Sequence, residues 1–323
     1  VSTYFDDHIP QAIETAARLR QRDQRERFIW TTGSWLIDGY LEKALPSARR
    51  RLEKAIEAGD ITWHGLPFTM HCELMDVSLF RAGLSISQKL DRRFGRTTIA
   101  AKMSDIPGHT RGIVPLLAEA GIQFLHVGVN EASTMPEVPP LFIWRDDSGA
   151  EIIVMYQHGY GDLMLVPGTS HAIMVAHTHD NLGPQTAEQI LSIYAGLRTR
   201  FPQASIVAST MDTYAHLLAQ VKPELPVITR EIADTWIHGV GTDPQKVAHY
   251  RELLRLRTEW LSDEGTSPND PDFQQLSNFL MMVPEHTWGM DEKTHLADYS
   301  NYNRRQFEQV RQQGGLSGYP SRE

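Results

Sequence analysis

Cysteine is almost missing from this sequence. Cys72 is the only one in 323 residues. A disulfide within the chain and a Cys-x-x-Cys metal site are therefore excluded. One cysteine fits a reducing compartment, and the cytoplasm is slightly favoured. Long apolar runs are missing too. None approaches the ~20 residues that a membrane helix needs, so no membrane partner is expected. An excess of positive charge is also absent. Lys and Arg number 31 against 40 Asp and Glu, a net charge of −9. A nucleic acid backbone is not an expected partner for such a chain. The start, Val1-Ser2-Thr3-Tyr4, has no basic segment followed by an apolar one, so no signal peptide is visible. It has no initiator Met either, and the chain is expected to begin partway into its natural protein. Internal repeats and low-complexity tracts are lacking.

What remains is an ordinary globular composition. Hydrophobic residues make up 41% and charged residues 22%, which argues against a mainly disordered chain. The length suggests roughly two domains, or one large α/β domain with an appendage. The first two thirds alternate short buried strands with helices. Strands are expected at 27–33, 60–65, 97–103, 123–129, 151–157, 204–209 and 225–230. Helices are expected at 9–19, 49–58, 79–94, 113–120, 186–201 and 214–220. Repeated βα units of this kind imply a parallel sheet with helices outside it. About seven strands, one of them missing at the start, suit a β/α barrel over 1–244; a doubly wound open sheet is the alternative. After residue 245 the pattern turns helical, with helices at 245–261, 273–283 and 299–310. A small helical-bundle module is expected over 245–311, followed by an unstructured or extended tail at 312–323.

Ligands in βα folds sit at the C-terminal ends of strands. Asp105 directly follows a strand and precedes a Pro-Gly turn. Its carboxylate should enter the mouth of the barrel; the bland alternative is a turn or N-cap Asp. His109 lies near the start of the next helix, where a cap or surface histidine is the alternative. Trp35 closes an earlier strand end. His71 and Glu73 alternate, so an extended segment would turn both the same way; a solvated loop pair is the competing reading. Glu231 and His238 bracket Trp236, which could stack on a sugar or fill a core. His177 and His179 form an H-x-H beside Asn181, a pattern that can chelate a metal. Glu285 to Gly289 closes a helix of the module, where capping or packing is the bland reading.

At Asp105 a resemblance emerges. Ser104-Asp105-Ile106-Pro107-Gly108-His109-Thr110 resembles the D-P-F-G-H-S motif of the retaining α-mannosidases of glycoside hydrolase family 38, with the Pro displaced by one. Arg27-Phe28-Ile29-Trp30 is similar to that family's K-F-I-W strand. Glu57 to Ile61 is similar to its N-G-x-hydrophobic lead into the third strand. Phe68 to Asp76 sits where it has W-V-M-P-D-E. Glu231 to Thr242 resembles its G-E-L-Y-x-E-x-H-R-G-T-Y-T segment. Leu280 to Gly289 falls where its helical domain carries Q-H-H-D. The match is nearest to a bacterial branch of that superfamily of the kind known as a domain of unknown function.

The resemblance implies a seven-stranded barrel followed by a three-helix bundle. It implies zinc, or another divalent ion, holding the sugar's hydroxyls. It also implies that Asp105 is both metal ligand and nucleophile. The family's first ligands lie upstream of Val1, so the metal site is expected to be incomplete. Asp180 to Pro184 resembles a further ligand loop with Asn181 at the His position, and His177 or His179 could substitute. Asp162 sits near the place of the acid/base. Trp35, His71, Glu73, His109, Glu231, Trp236 and His238 are the expected substrate contacts. The function implied is a metal-dependent retaining glycoside hydrolase acting on a carbohydrate. The alternatives are a catalytically silent carbohydrate-binding relative and a metal-dependent polysaccharide deacetylase.

Overall fold

The computed structural model describes residues 1–22, 25–106, 108–131, 133–178, 182–232, 244–262, 267–287 and 303–312. A two-stranded parallel ladder starts the fold. Strand β1 (Trp30–Gly33) pairs with β2 (Ile61–His64). Between them run α2 (Ser34–Lys43) and α3 (Pro46–Glu57), preceded by α1 (Ile9–Arg20). Their apolar faces meet in one core with Leu52, Ile56, Ile61 and Trp63 at its centre.

The second ladder is mixed. It contains β3 (Ala100–Asp105), β4 (Phe124–Val129), β5 (Leu141–Arg145), β6 (Glu151–His158) and β9 (Val227–Ile228), in the order β3-β4-β6-β5-β9. Only β5 against β6 is antiparallel within it. Two short strands, β7 (Met164–Leu165) and β8 (Ala172–Ile173), form a separate antiparallel pair. A bond from Gly65 N to Ala100 O, 2.9 Å, links the end of β2 to the start of β3. The described residues thus form a central mixed sheet flanked by helices. Their ladders show no closed ring of seven strands.

Side chains alternate across the central sheet, as the pleat requires. Ala101, Met103, Leu125, Val127, Phe142, Trp144, Ile152 and Val154 pack on one face against α4 (Val77–Phe94) and α5 (Ile113–Glu119). Ala100, Phe124, Leu141, Ile143, Ile153 and Met155 pack on the other, under α7 (Met211–Val221). Asp212, in the first turn of α7, accepts from the backbone nitrogens of Ile99 and Ala100 at 2.8 and 2.9 Å. That clamp fixes α7 at the N-terminal end of β3. The C-terminal end is left for chemistry.

Helix α4 begins at Asp76, whose carboxylate accepts from Leu79 N at 2.6 Å, and ends at Gly95. It packs on α8 (Pro244–Ser262) and α9 (Pro271–Met282) through Leu79, Ile86, Tyr250, Leu254, Leu280 and Met281. Helix α6 (Ala187–Arg200) carries a capping box from Thr186 and Gln189, and α10 (Arg304–Gln312) follows later.

Three expectations fail locally. Residues 204–209 are irregular, with Val207 exposed and no partner strand. Strand β5 was not expected; Asp146 accepts from Ser148 N and Ala150 N at 3.1 and 3.0 Å and folds β5 back on β6 as a hairpin. Ser34 and Trp35, read as part of a strand end, instead open helix α2. No described helix is long and apolar enough to cross a membrane.

Candidate active site

Strand β3 delivers Asp105 to the C-terminal edge of the sheet. Its φ is +78°, a conformation that costs most L-residues energy. Its carboxylate is held from three sides. Asn130 Nδ2 donates to Oδ1 at 2.9 Å and Tyr160 Oη donates to the same oxygen at 3.0 Å. His286 Nε2 lies 3.2 Å from Oδ2. Burial pushes the Asp105 carboxyl up, but the bonds from His286, Asn130 and Tyr160 hold it below its ordinary value. The group is therefore an anion at neutral pH.

His286 arrives from the far end of the chain. Its backbone N–H donates to Thr69 O at 3.1 Å, while His71 N donates to Pro284 O at 2.8 Å. Met70 and Glu285 form an antiparallel bridge between these bonds. Thr69 Oγ1 in turn accepts from Ser104 N at 3.0 Å, next to Asp105. The second ring nitrogen of His286 lies 2.5 Å from Glu285 Oε1. Burial lowers the His286 pKa, but its bonds to Asp105 and Glu285 raise it to about 9. It is an imidazolium between two carboxylates.

Tyr160 and Asp162 share one turn after β6. A pocket of about 410 Å³ lies against this turn, lined by Glu131, His158, Asp162, Met174, His177 and Ile193 among others. The His177 ring meets the Tyr160 ring edge-on at 5.5 Å. Asp162 and His177 are thus brought to the rim of the region that Tyr160 connects to Asp105.

The other expected residues fall elsewhere. His71, Glu73 and His109 gather around Cys72. His71 Nδ1 lies 3.4 Å from Glu73, and the Cys72 sulfur lies 3.6 Å from both His109 Nδ1 and Glu73 Oε2. Burial pushes the Cys72 thiol well above its ordinary value, so it is no nucleophile. Burial also takes His109 down to about 4. Glu231 accepts from Arg111 N at 2.6 Å and braces a loop. Trp35 packs edge-on against Phe68 at 6.0 Å. His179, Asn181, Trp236 and His238 lie outside the described residues. Among the described residues, no group of three or more His, Cys, Asp or Glu side chains is placed to hold a metal ion.

Sequence reasoning missed Asn130 and Tyr160 and read Glu285-His286 as capping or packing. The available signals were the Gly-Tyr-Gly that follows β6 and the position of Glu285-His286 in the Q-H-H-D-like segment.

With this geometry in place, the chain can be set against known proteins. A solved alpha-mannosidase from Enterococcus faecalis V583 superposes with a TM-score of 0.62 at 14% identity, over 87% of this chain and 36% of that one. The fold is similar to that of a mannosidase. A second structure, a protein in the Glycosyl Hydrolase Family 38 from Enterococcus faecalis, gives a TM-score of 0.54 at 15% identity, over 87% of this chain and 34% of that one. The chain spans about a third of the length of these structures, and at such identities the likeness is one of fold. Residues 240–322 match a family described as a domain of unknown function (DUF5054). No curated protein matches the chain.

Proposed function

We propose that the protein is a retaining glycoside hydrolase, α-mannosidase-like, with Asp105 as its nucleophile. One observation carries this reading. An anionic carboxylate stands at the C-terminal edge of the sheet, fixed by three donors, in a fold shared with a mannosidase. A retaining glycosidase needs such a group to attack the anomeric carbon and form a covalent glycosyl intermediate. It also needs an acid to protonate the leaving oxygen, and water activated by the same residue to release the sugar. Asp162, on the pocket wall, is the proposed acid/base. The hydroxyl of Tyr160 and the His286 imidazolium hold Asp105 charged and aimed.

The reading includes a β/α barrel over 1–244 and a helical-bundle module over 245–311. It also includes a divalent metal, zinc or a harder ion. Asp105 and His177 would supply an oxygen and a nitrogen to it, and the ion would hold the sugar's hydroxyls. Two donors fall short of a full set, so the steps above use the protein's own residues alone.

Turnover of an aryl α-mannoside tests the proposal. Asp105→Asn should abolish it while leaving the fold intact. Undiminished turnover in a folded variant overturns it. Engagement of both Asp105 oxygens by protein donors favours a second reading, a silent carbohydrate-binding protein. That reading expects sugar binding by calorimetry with no product after long incubation.

A further inference from the structure

The face of the sheet that carries Ala100, Phe124, Ile153 and Met155 turns polar toward its C-terminal end. The next positions on that face are Lys102, His126 and Gln157. Lys102 and His126 are directly paired across β3 and β4. Lys102 Nζ donates to His126 Nδ1 at 2.8 Å and to the Tyr160 carbonyl at 3.1 Å. Gln157 Nε2 donates to the Asp162 carbonyl at 3.1 Å. His126 is fully buried.

These bonds meet a strained turn. Gly159, Tyr160 and Gly161 all have positive φ, at +67°, +66° and +115°. Such a conformation is easy for glycine and costly for tyrosine. The turn is also pressed onto β4. A Cβ on Gly128 would lie 2.5 Å from Tyr160 O, and one on Gly161 would lie 2.6 Å from the His126 ring. Tyr160 is held at three points. Its N–H donates to Val129 O at 3.2 Å, its carbonyl accepts from Lys102, and its hydroxyl donates to Asp105.

We infer that Lys102, braced by His126, is a positioning residue that holds this turn so that Tyr160 aims its hydroxyl at Asp105 and Asp162 faces the pocket. Its contacts are with His126 and the Tyr160 carbonyl, so it acts through the Tyr160 backbone. Two other candidates carry less. The Cys72–His109 pair lies in a buried group with Glu73 and, among the described residues, shows no cavity, and the exposed Phe279 and Met282 have nothing in the structure to say what covers them. The role given to Lys102 rests on the reading of Asp105 as nucleophile, but its geometry can be tested without turnover.

The test uses the full chain with 13C-labelled tyrosine. Tyr160→Phe assigns the Tyr160 ring resonance, and Asp105→Asn shows its shift when the carboxylate is neutral. In Lys102→Met the Tyr160 resonance should move toward its Asp105→Asn position. Turnover of the aryl glycoside should fall at least tenfold in kcat with KM within threefold. An unmoved Tyr160 resonance in folded Lys102→Met overturns the inference. So does an equal loss of stability with kcat unchanged. If Lys102→Met does not fold, Gln157→Leu frees the other end of the turn and should move the same resonance. If it stays put there, the inference also fails. A shifted resonance in a protein that turns over no glycoside leaves the positioning role standing and overturns the hydrolase reading.

Discussion

His64 and His109 are buried neutral histidines, and their burial makes the protein less stable in acid. Burial takes His64 to about 3, with help from the Lys102 charge, and takes His109 to about 4. Both values lie below the ~6.5 of an unfolded histidine. The unfolded chain therefore takes up protons first as pH falls. Stability from these groups is complete above about pH 6.5 and is lost as pH falls through the window down to about 4 for His109 and about 3 for His64. Each adds a slope of about 1.4 kcal/mol per pH unit in that window. Urea midpoints between pH 7 and pH 4.5 should fall steadily, and His109→Gln should flatten the fall. Midpoints that do not change with pH would rule out neutral burial. At the same scale, Tyr160→Phe removes a donor from a charged acceptor. Such a bond is worth about 1.5–3 kcal/mol, so glycoside turnover should drop about 10- to 100-fold in a protein that melts normally.

Among the elements, α4 is the one on which both halves of the chain rest. Asp76 caps it, and Ser78 and Thr258 both donate to the same Asp76 side chain, at 2.8 and 3.3 Å. Arg257 of α8 donates to Ser78 and, at 2.9 Å, to Ser277 of α9. An ordinary cap is worth about 1 kcal/mol. Asp76→Ala should cost more than that, measured by chemical denaturation, whereas Thr186→Ala at the α6 cap should cost about 1 kcal/mol. Equal losses would mean that the contacts to α8 contribute nothing. Elements of this kind were readable in the sequence because their cause is local. The helical spacing of Leu79, Ile86 and Leu90, and of Phe80 and Leu84, with the Gly95 stop marks α4 within a few residues of its observed bounds. β4 and β6 were equally plain as short, mostly apolar segments. β5 is an apolar run of its own, Leu141 to Trp144, but it breaks the βα alternation because it folds back on β6 as a hairpin. Residues 204–209 misled because they have strand composition and no strand to join.

At the scale of the whole molecule the candidate site is a composite. Asp105 was legible from its place between a strand end and a Pro-Gly turn and from the motif that its segment resembles. Tyr160 and His286 were not, because what gives them meaning is a contact with a residue distant in sequence, which no period or spacing encodes. His286→Ala should reduce turnover as severely as Asp105→Asn, even though it lies next to the α9 helix. It should also raise the Asp105 pKa toward its ordinary value, which the acid limb of the kcat/KM profile would report. Retention of full activity would remove the C-terminal segment from the site.

The bridge between Met70 and Glu285 has a consequence for the birth of the protein. The ribosome releases Asp105 long before it releases His286. A nascent chain can build the central sheet and still lack the cation that keeps the carboxylate charged. The site is therefore assembled last, when the chain closes back on Thr69, and chain synthesis itself sets the earliest moment at which the protein can act.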